Sequence, residues 1–164
     1  MYFAKVKPNA IIPSKIEENA GMDVYANFEE DYIVIKPHET VMIPTGIASA
    51  CSSDYYFQLF ERGSTGTKGI GQRCGVIDSG YRNEWFVPIT NHNKDILIIA
   101  KDYKNTKKYK ELFGDLVIIY PYEKAICQAV LLQVPKIKVE EIDYTSLLKI
   151  ESIRGIGNLG STNK

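Results

Sequence analysis

The chain has 164 residues, enough for one domain with a core, and is 45% hydrophobic and 24% charged, ordinary values for a globular protein. Twenty basic side chains balance twenty acidic ones, so the net charge is zero. That argues against a broad basic face gripping nucleic acid, while a small anionic ligand needs only local positive groups. The three cysteines, Cys51, Cys74 and Cys127, are far apart and form no CxxC. They are expected to be small apolar residues in a reducing compartment, not zinc ligands or a disulfide framework. No apolar run approaches a membrane span, and Met1 to Ala10 carries no secretory core, so a cytoplasmic protein without a membrane partner is expected (host cytosol if a virus encodes it).

The apolar runs are short and rich in valine, isoleucine and aromatics. Strands are predicted over 32–36, 40–50, 55–61, 84–91, 95–101, 115–120, 125–134 and 136–142. Turn-formers punctuate them at Lys36-Pro37, Pro44-Thr45-Gly46, Asp78-Ser79-Gly80 and Asn91-His92-Asn93. Many short strands at regular spacing suggest an all-β sandwich, jelly roll or barrel. Residues 104–113 differ: they are basic, lack β-branched residues apart from Thr106, and end at Gly114. A short helix capped by Asn105 or Thr106 and a solvated charged loop both fit that stretch. The tail 152–164 is rich in Gly, Ser, Thr and Asn around Arg154. By composition it is a frayed terminus, and the same residues are what a phosphate-wrapping arm needs.

Two motifs mislead. Gly155-Ile156-Gly157-Asn158-Leu159-Gly160 matches GxGxxG, but that fingerprint must open a helix within a βαβ unit, and only four residues follow. Gly63-Ser64-Thr65-Gly66-Thr67-Lys68-Gly69 lacks the Gly-Lys-Ser/Thr of a P-loop. His38 and His92 have no triad partner in the pattern and read as loop or surface residues.

Five segments carry chemistry: Ala20-Gly21-Met22-Asp23-Val24-Tyr25-Ala26, Glu61-Arg62-Gly63-Ser64-Thr65-Gly66, Gly75-Val76-Ile77-Asp78-Ser79-Gly80-Tyr81-Arg82, Ala125-Ile126-Cys127-Gln128-Ala129-Val130, and Arg154 through Thr162. In that order they resemble the five motifs of the trimeric dUTPase family. The resemblance implies a jelly-roll-like β-clip fold over 1–151, a homotrimer, and sites between subunits closed by the arm 152–164. It also implies Mg²⁺-dependent hydrolysis of dUTP to dUMP and pyrophosphate by water attack on the α-phosphorus. That reaction limits uracil incorporation into DNA and supplies dUMP.

Local chemistry agrees. Asp78 sits at a strand-to-turn junction, where a carboxylate can be half-buried and oriented as a general base; as a bare pattern, Asp-Ser-Gly is also an ordinary turn. The resemblance makes Asp78 the catalytic base and packs Tyr81 against the deoxyribose, leaving no room for a 2′-hydroxyl. It makes 75–86 a hairpin whose backbone at Gly75, Val76 and Ile77 reads uracil, with Gln72 and Phe86 also at the substrate. Arg62, Gly63 and Ser64 form a glycine-flanked turn suited to an anion nest. The resemblance gives Gln128 the phosphate region, and has Asp23 and Gln128 reach, through water, a magnesium held by the triphosphate. Arg154, Ser161 and Thr162 then clamp the phosphates, and Leu159 covers the base.

Three departures stand out. The order Arg-Gly-Ser at 62–64 lacks the hydroxyl that in the family usually follows the arginine. Asn158 and Leu159 replace a Gly-Phe pair, which removes a stacking ring worth about 0.5–1.5 kcal/mol. Residues 102–123 are longer than the usual turn, a decorated loop or a surface for a protein partner. Two rival functions follow. A dCTP deaminase would need a carboxylate where this chain has Pro88, and proline carries no proton. A nucleotide-gated protein-binding regulator would use the 102–123 insertion, since fold alone does not settle function.

Overall fold

A computed structural model of the chain describes residues 1–73 and 75–157. It divides into two compact units, Met1–Val134 and Pro135–Lys164. The first holds β1 (Tyr2–Lys5), β2 (Met22–Val24), β3 (Tyr32–Ile35), β4 (Thr40–Pro44), β5 (Ile47–Ala50) and β6 (Tyr55–Phe60), then a single helical turn α1 (Gly63–Gly66). After it come β7 (Ile70–Gln72), β8 (Val76–Ile77), β9 (Phe86–Asn91), β10 (Leu97–Ala100), α2 (Thr106–Phe113), β11 (Ile118–Pro121) and β12 (Cys127–Gln133). The strands form four small sheets, ordered β1-β5, β11-β10-β3, β2-β12-β6-β8 and β4-β9-β7. The all-β expectation holds.

The pleat decides what each strand buries, because successive side chains point to opposite faces. On β12, Cys127 and Ala129 go inward while Gln128 and Val130 are only partly buried; on β2, Met22 and Val24 are buried and Asp23 is not. Val24, Ile35, Ile43, Ile47, Phe57 and Leu97 meet in one core around Trp85, whose ring lies 5.1 Å from Phe57 and 5.5 Å from Phe3. Each such apolar side chain contributes roughly 1.5–3 kcal/mol on burial.

Two expected strands differ. The run 40–50 breaks in two at Thr45 and Gly46, because β4 pairs with β9 and β5 with β1. Gly46 turns the chain at φ +68°, where a Cβ would stand 2.7 Å from Asn27 Nδ2. Residues 136–142 form no strand; Ile137 and Val139 are exposed. Alternation alone does not make a strand: its amides and carbonyls need a paired neighbour. The missed strands β1, β2, β7 and β8 are two to four residues long, too short to show a period.

The insertion is built, not loose. Strands β10 and β11 run parallel, from Leu97 opposite Ile118 to Ala100 opposite Pro121. Parallel neighbours require a long crossover, usually helical, and α2 supplies it. Asn105 Oδ1 accepts the Lys108 amide at 3.3 Å, so the predicted cap is real, and Gly114 ends the helix. Tyr109 is fully buried, and Phe113 packs beside it on Ile98 and Ala100 in a small second core. Cys51 is half-buried and Cys127 buried, while Cys74 lies outside the described residues.

The second unit contains α3 (Tyr144–Leu148), which the sequence reading missed. Asp143 caps it, accepting the Ser146 amide at 3.0 Å and the hydroxyls of Ser146 and Thr145. Those bonds hold the Asp143 carboxyl at about 2. The described part of the expected arm, 152–157, falls within this unit, which begins at Pro135. Leu159, Ser161 and Thr162 lie outside the described residues.

Candidate active site

Sheet register assembles the first half of the site. Asp23 on β2 and Gln128 on β12 are direct cross-strand partners, and Phe60 on β6 flanks Gln128 on the other side. Arg62 follows β6 and turns back over them. Its Nε lies 3.1 Å from Asp23 Oδ1, its Nη2 donates to Oδ2 at 3.4 Å, and its Nη1 donates to the Ala125 carbonyl at 3.1 Å. Tyr120 donates to that same carbonyl at 2.6 Å, behind the pair. Burial raises the Tyr120 hydroxyl pKa, and the Arg62 charge opposes the rise. Burial also pushes the neighbouring Cys127 thiol up to about 12, so it is an unreactive core residue.

Gln128 has the partner that a lone amide in an apolar strand requires: its Nε2 donates to the Glu61 carbonyl at 2.9 Å. Its side chain lies across Gly21, where a Cβ would stand 2.4 Å from Gln128 Oε1. That explains the glycine of Ala-Gly-Met-Asp. The expected nest at 62–64 is a helical turn: the amides of Thr65 and Gly66 both donate to the Arg62 carbonyl, at 3.0 and 2.9 Å. Gly63 and Ser64 open that turn, where amides have no acceptor within the helix. A cavity of about 810 Å³ lies over these residues, lined by Gly21, Asp23, Arg62, Gly63, Ser64 and Gln128 and closed by the loop through Lys15 and Glu18.

The second half is elsewhere in the chain. Gly75, Val76, Ile77, Asp78, Tyr81 and Phe86 line a separate, mostly apolar cavity of about 290 Å³, together with Met42, Leu59 and Pro88. The segment 75–86 is not the predicted hairpin. Strand β8 pairs with β6, and β9 pairs with β4 and β7, so the segment crosses between sheets. Side chains hold it where a ladder would. Arg82 Nη1 donates to the carbonyls of Ser79, Tyr81 and Ser49 at 2.6, 3.2 and 3.3 Å. The Tyr81 hydroxyl donates to the Glu84 carbonyl at 3.1 Å, and the Glu84 carboxylate accepts the Gly46 amide at 2.8 Å. Asp78 is exposed, not half-buried, on the single chain, because it stands at the open rim of this cavity.

The structure thus gathers Asp23, Arg62, Gly63, Ser64 and Gln128 in one place, and Gly75, Val76, Ile77, Asp78, Tyr81 and Phe86 in another. No residue is common to the two linings. Gln72 belongs to neither lining; its amide donates to Glu61 Oε1 at 3.0 Å beside the first cavity's wall. Arg154 lies exposed in the second unit, in a turn where its Nε donates to the Gly157 carbonyl at 3.3 Å. Sequence reasoning missed Glu61, Arg82, Glu84 and Tyr120 as supports. Each acts largely through a backbone contact, which leaves no spacing signature. Pro88 stands in the second cavity's wall, so the position a deaminase needs ionisable carries no proton.

The dUTPase family model matches residues 7–104. A deoxyuridine 5′-triphosphate nucleotidohydrolase of Clostridioides difficile is 32% identical over 99% of each chain. The chain belongs to the dUTPase family. Its jelly-roll-like β-clip fold and its activity, hydrolysis of dUTP, follow from that membership. Among solved structures, a variant of the Staphylococcus bacteriophage 80alpha dUTPase with dUpNHpp superposes with a TM-score of 0.74 at 17% identity, covering 98% of this chain and 96% of that one. A variant of the dUTPase from phage phi11 of S. aureus, described with a structural Mg(II) ion, gives 0.65 at 18% identity over 87% and 95%. At such identities the likeness bears on the fold. Among the described residues no helix is long and apolar enough to cross a membrane.

Proposed function

We propose that this chain hydrolyses dUTP in a homotrimer, at sites that pair the apolar cavity of one subunit with the polar cavity of another. The observation that carries this reading is the separation of the two linings within one chain. The uracil and deoxyribose suit the apolar cavity, where backbone groups at Gly75, Val76 and Ile77 read the base edge. Tyr81 packs on the sugar and leaves no room for a 2′-hydroxyl. The phosphates suit the polar cavity, where Arg62, Gln128 and the amides of Gly63 and Ser64 offer donors.

Asp78 accepts a proton from a water as that water's oxygen bonds to the α-phosphorus. The bond from the α-phosphorus to the bridging oxygen breaks, and pyrophosphate leaves. Arg62 and Arg154 stabilise the charge that develops on the phosphates. Ser161 and Thr162 donate to the phosphate chain, and Leu159 covers the base. Among the described residues no group of three or more His, Cys, Asp or Glu side chains is gathered as a metal cage. A Mg²⁺ would be bound mainly by phosphate oxygens, with Asp23 and Gln128 reaching it through water, and would neutralise phosphate charge.

A second role, recognition of another protein, finds support in α2. Its inner face is packed while Lys107, Lys110, Glu111 and Leu112 on the helix, and Lys104, Asp115 and Leu116 flanking it, are exposed, a surface of mixed charge with two apolar side chains.

The test is pyrophosphate release from dUTP, dCTP, dTTP and UTP with Mg²⁺, for the native chain and Asp78→Asn. The expected result is release from dUTP alone, falling by about 10²–10⁴-fold in Asp78→Asn with dUTP still bound. Near-normal turnover by Asp78→Asn would remove Asp78 from the role of base.

A further inference from the structure

We infer that Lys15 is a phosphate-binding residue of this enzyme, holding the part of the triphosphate beyond the α-phosphate. The inference rests on the assignment of the polar cavity to the phosphates. Four charged side chains line that cavity: Lys15, Glu18, Asp23 and Arg62. They sum to zero charge, yet the ligand is a polyanion. Arg62 is largely committed, with two nitrogens on Asp23 and the third on the Ala125 carbonyl. The expected hydroxyl after Arg62 is absent as well. Position 63 is glycine, and a Cβ there would meet nothing within 4 Å. The cavity therefore has room beside the turn, and of its two lining cations Arg62 is held on Asp23; Lys68 and Lys124 line an adjoining cavity that shares Asp23, Arg62 and Ser64, but not this one.

Lys15 is the other cation of this lining. Its ammonium donates to the Glu17 carbonyl at 3.0 Å and, among the described residues, has no carboxylate partner. The loop that carries it is fixed at both ends. The Asp23 amide donates to the Ser14 carbonyl at 3.1 Å, and the Asn19 amide closes a turn on the Ile16 carbonyl at 2.9 Å. Ser14, the residue before Lys15, is thus tied directly to the strand that bears Asp23. The α-phosphate must sit by Asp78, which belongs to the other lining, so the polar cavity receives the phosphates beyond it. A flexible four-carbon stem with three donors can follow those phosphates across the space left open at Gly63.

The test compares native enzyme, Lys15→Ala, Lys15→Arg and Asp78→Asn, reading KM and kcat for dUTP and the inhibition constant of dUMP. For an exposed cation, Lys15→Ala is expected to raise KM for dUTP about three- to fivefold, with kcat changed less than about twofold. Inhibition by dUMP stays as it was, since dUMP has no phosphate beyond the α. The KM increase shrinks at high salt, because the lost interaction is screened. Lys15→Arg recovers most of the affinity. An unchanged KM in Lys15→Ala, or equal weakening of dUTP and dUMP, overturns the inference while Asp78→Asn stays inactive. Full activity in Asp78→Asn would instead overturn the underlying assignment of the site.

Discussion

The two cavities are built by opposite means. The polar cavity is a matter of register: Asp23, Gln128 and Phe60 stand abreast on three strands, and Arg62 folds back over them. The apolar cavity is a crossing segment between sheets, held by Arg82 and Glu84 against backbone groups. In the function proposed, the first grips the polyphosphate, and the second carries the choice of base and sugar together with the catalytic carboxylate. Binding charge and choosing the substrate are therefore separable in this fold.

Substitutions should separate them in that order. Arg62→Ala removes a charged donor and leaves the Asp23 carboxylate without its partner. Steady-state kinetics should show kcat/KM for dUTP lowered by about 10²-fold, with the ranking of dUTP over UTP intact. Tyr81→Ala acts on the other region: the preference for dUTP over UTP should narrow by about tenfold, because a shape-based wall excludes an added hydroxyl only modestly. A changed sugar preference in Arg62→Ala, or an unchanged one in Tyr81→Ala, would break the division. Gly21→Ala is the finest probe. Its Cβ collides with the Gln128 amide and displaces it from the Glu61 carbonyl, a loss of about 1 kcal/mol. KM should rise about three- to fivefold with dUMP inhibition little altered.

The same division decides what was legible in the sequence. Asp23 and Gln128 stand at fixed strand positions and Arg62 at the turn just after β6, so the motifs that carry these side chains announce them. Gly21 stood in the motif, but its reason, the amide of Gln128 lying across it, is a cross-strand fact. The segment 75–86 was read as a hairpin because Asp-Ser-Gly is a turn between apolar runs. Nothing local says that the two flanking strands join different sheets. The exposure of Asp78 on the single chain was not legible for a related reason: half-burial was argued from neighbours in sequence, and the lining of a cavity is set by distant strands. The α2 cap at Asn105 was legible, whereas the parallel pairing of β10 with β11 that its length permits was not. Residues 136–142 show the reverse error, a clean alternation with no paired strand.

The shared site is tested most directly by mixing two inactive subunits. Asp78→Asn and Arg62→Ala chains, unfolded together in equal amounts and refolded, should recover about a quarter of native dUTP turnover. In a random cyclic trimer a given interface joins the intact cavity of each kind with that frequency. Each variant refolded alone should stay near its own low rate. A mixed preparation no more active than its parents, with mixed trimers demonstrated by mass, would place both cavities of a working site in one chain and contradict this account.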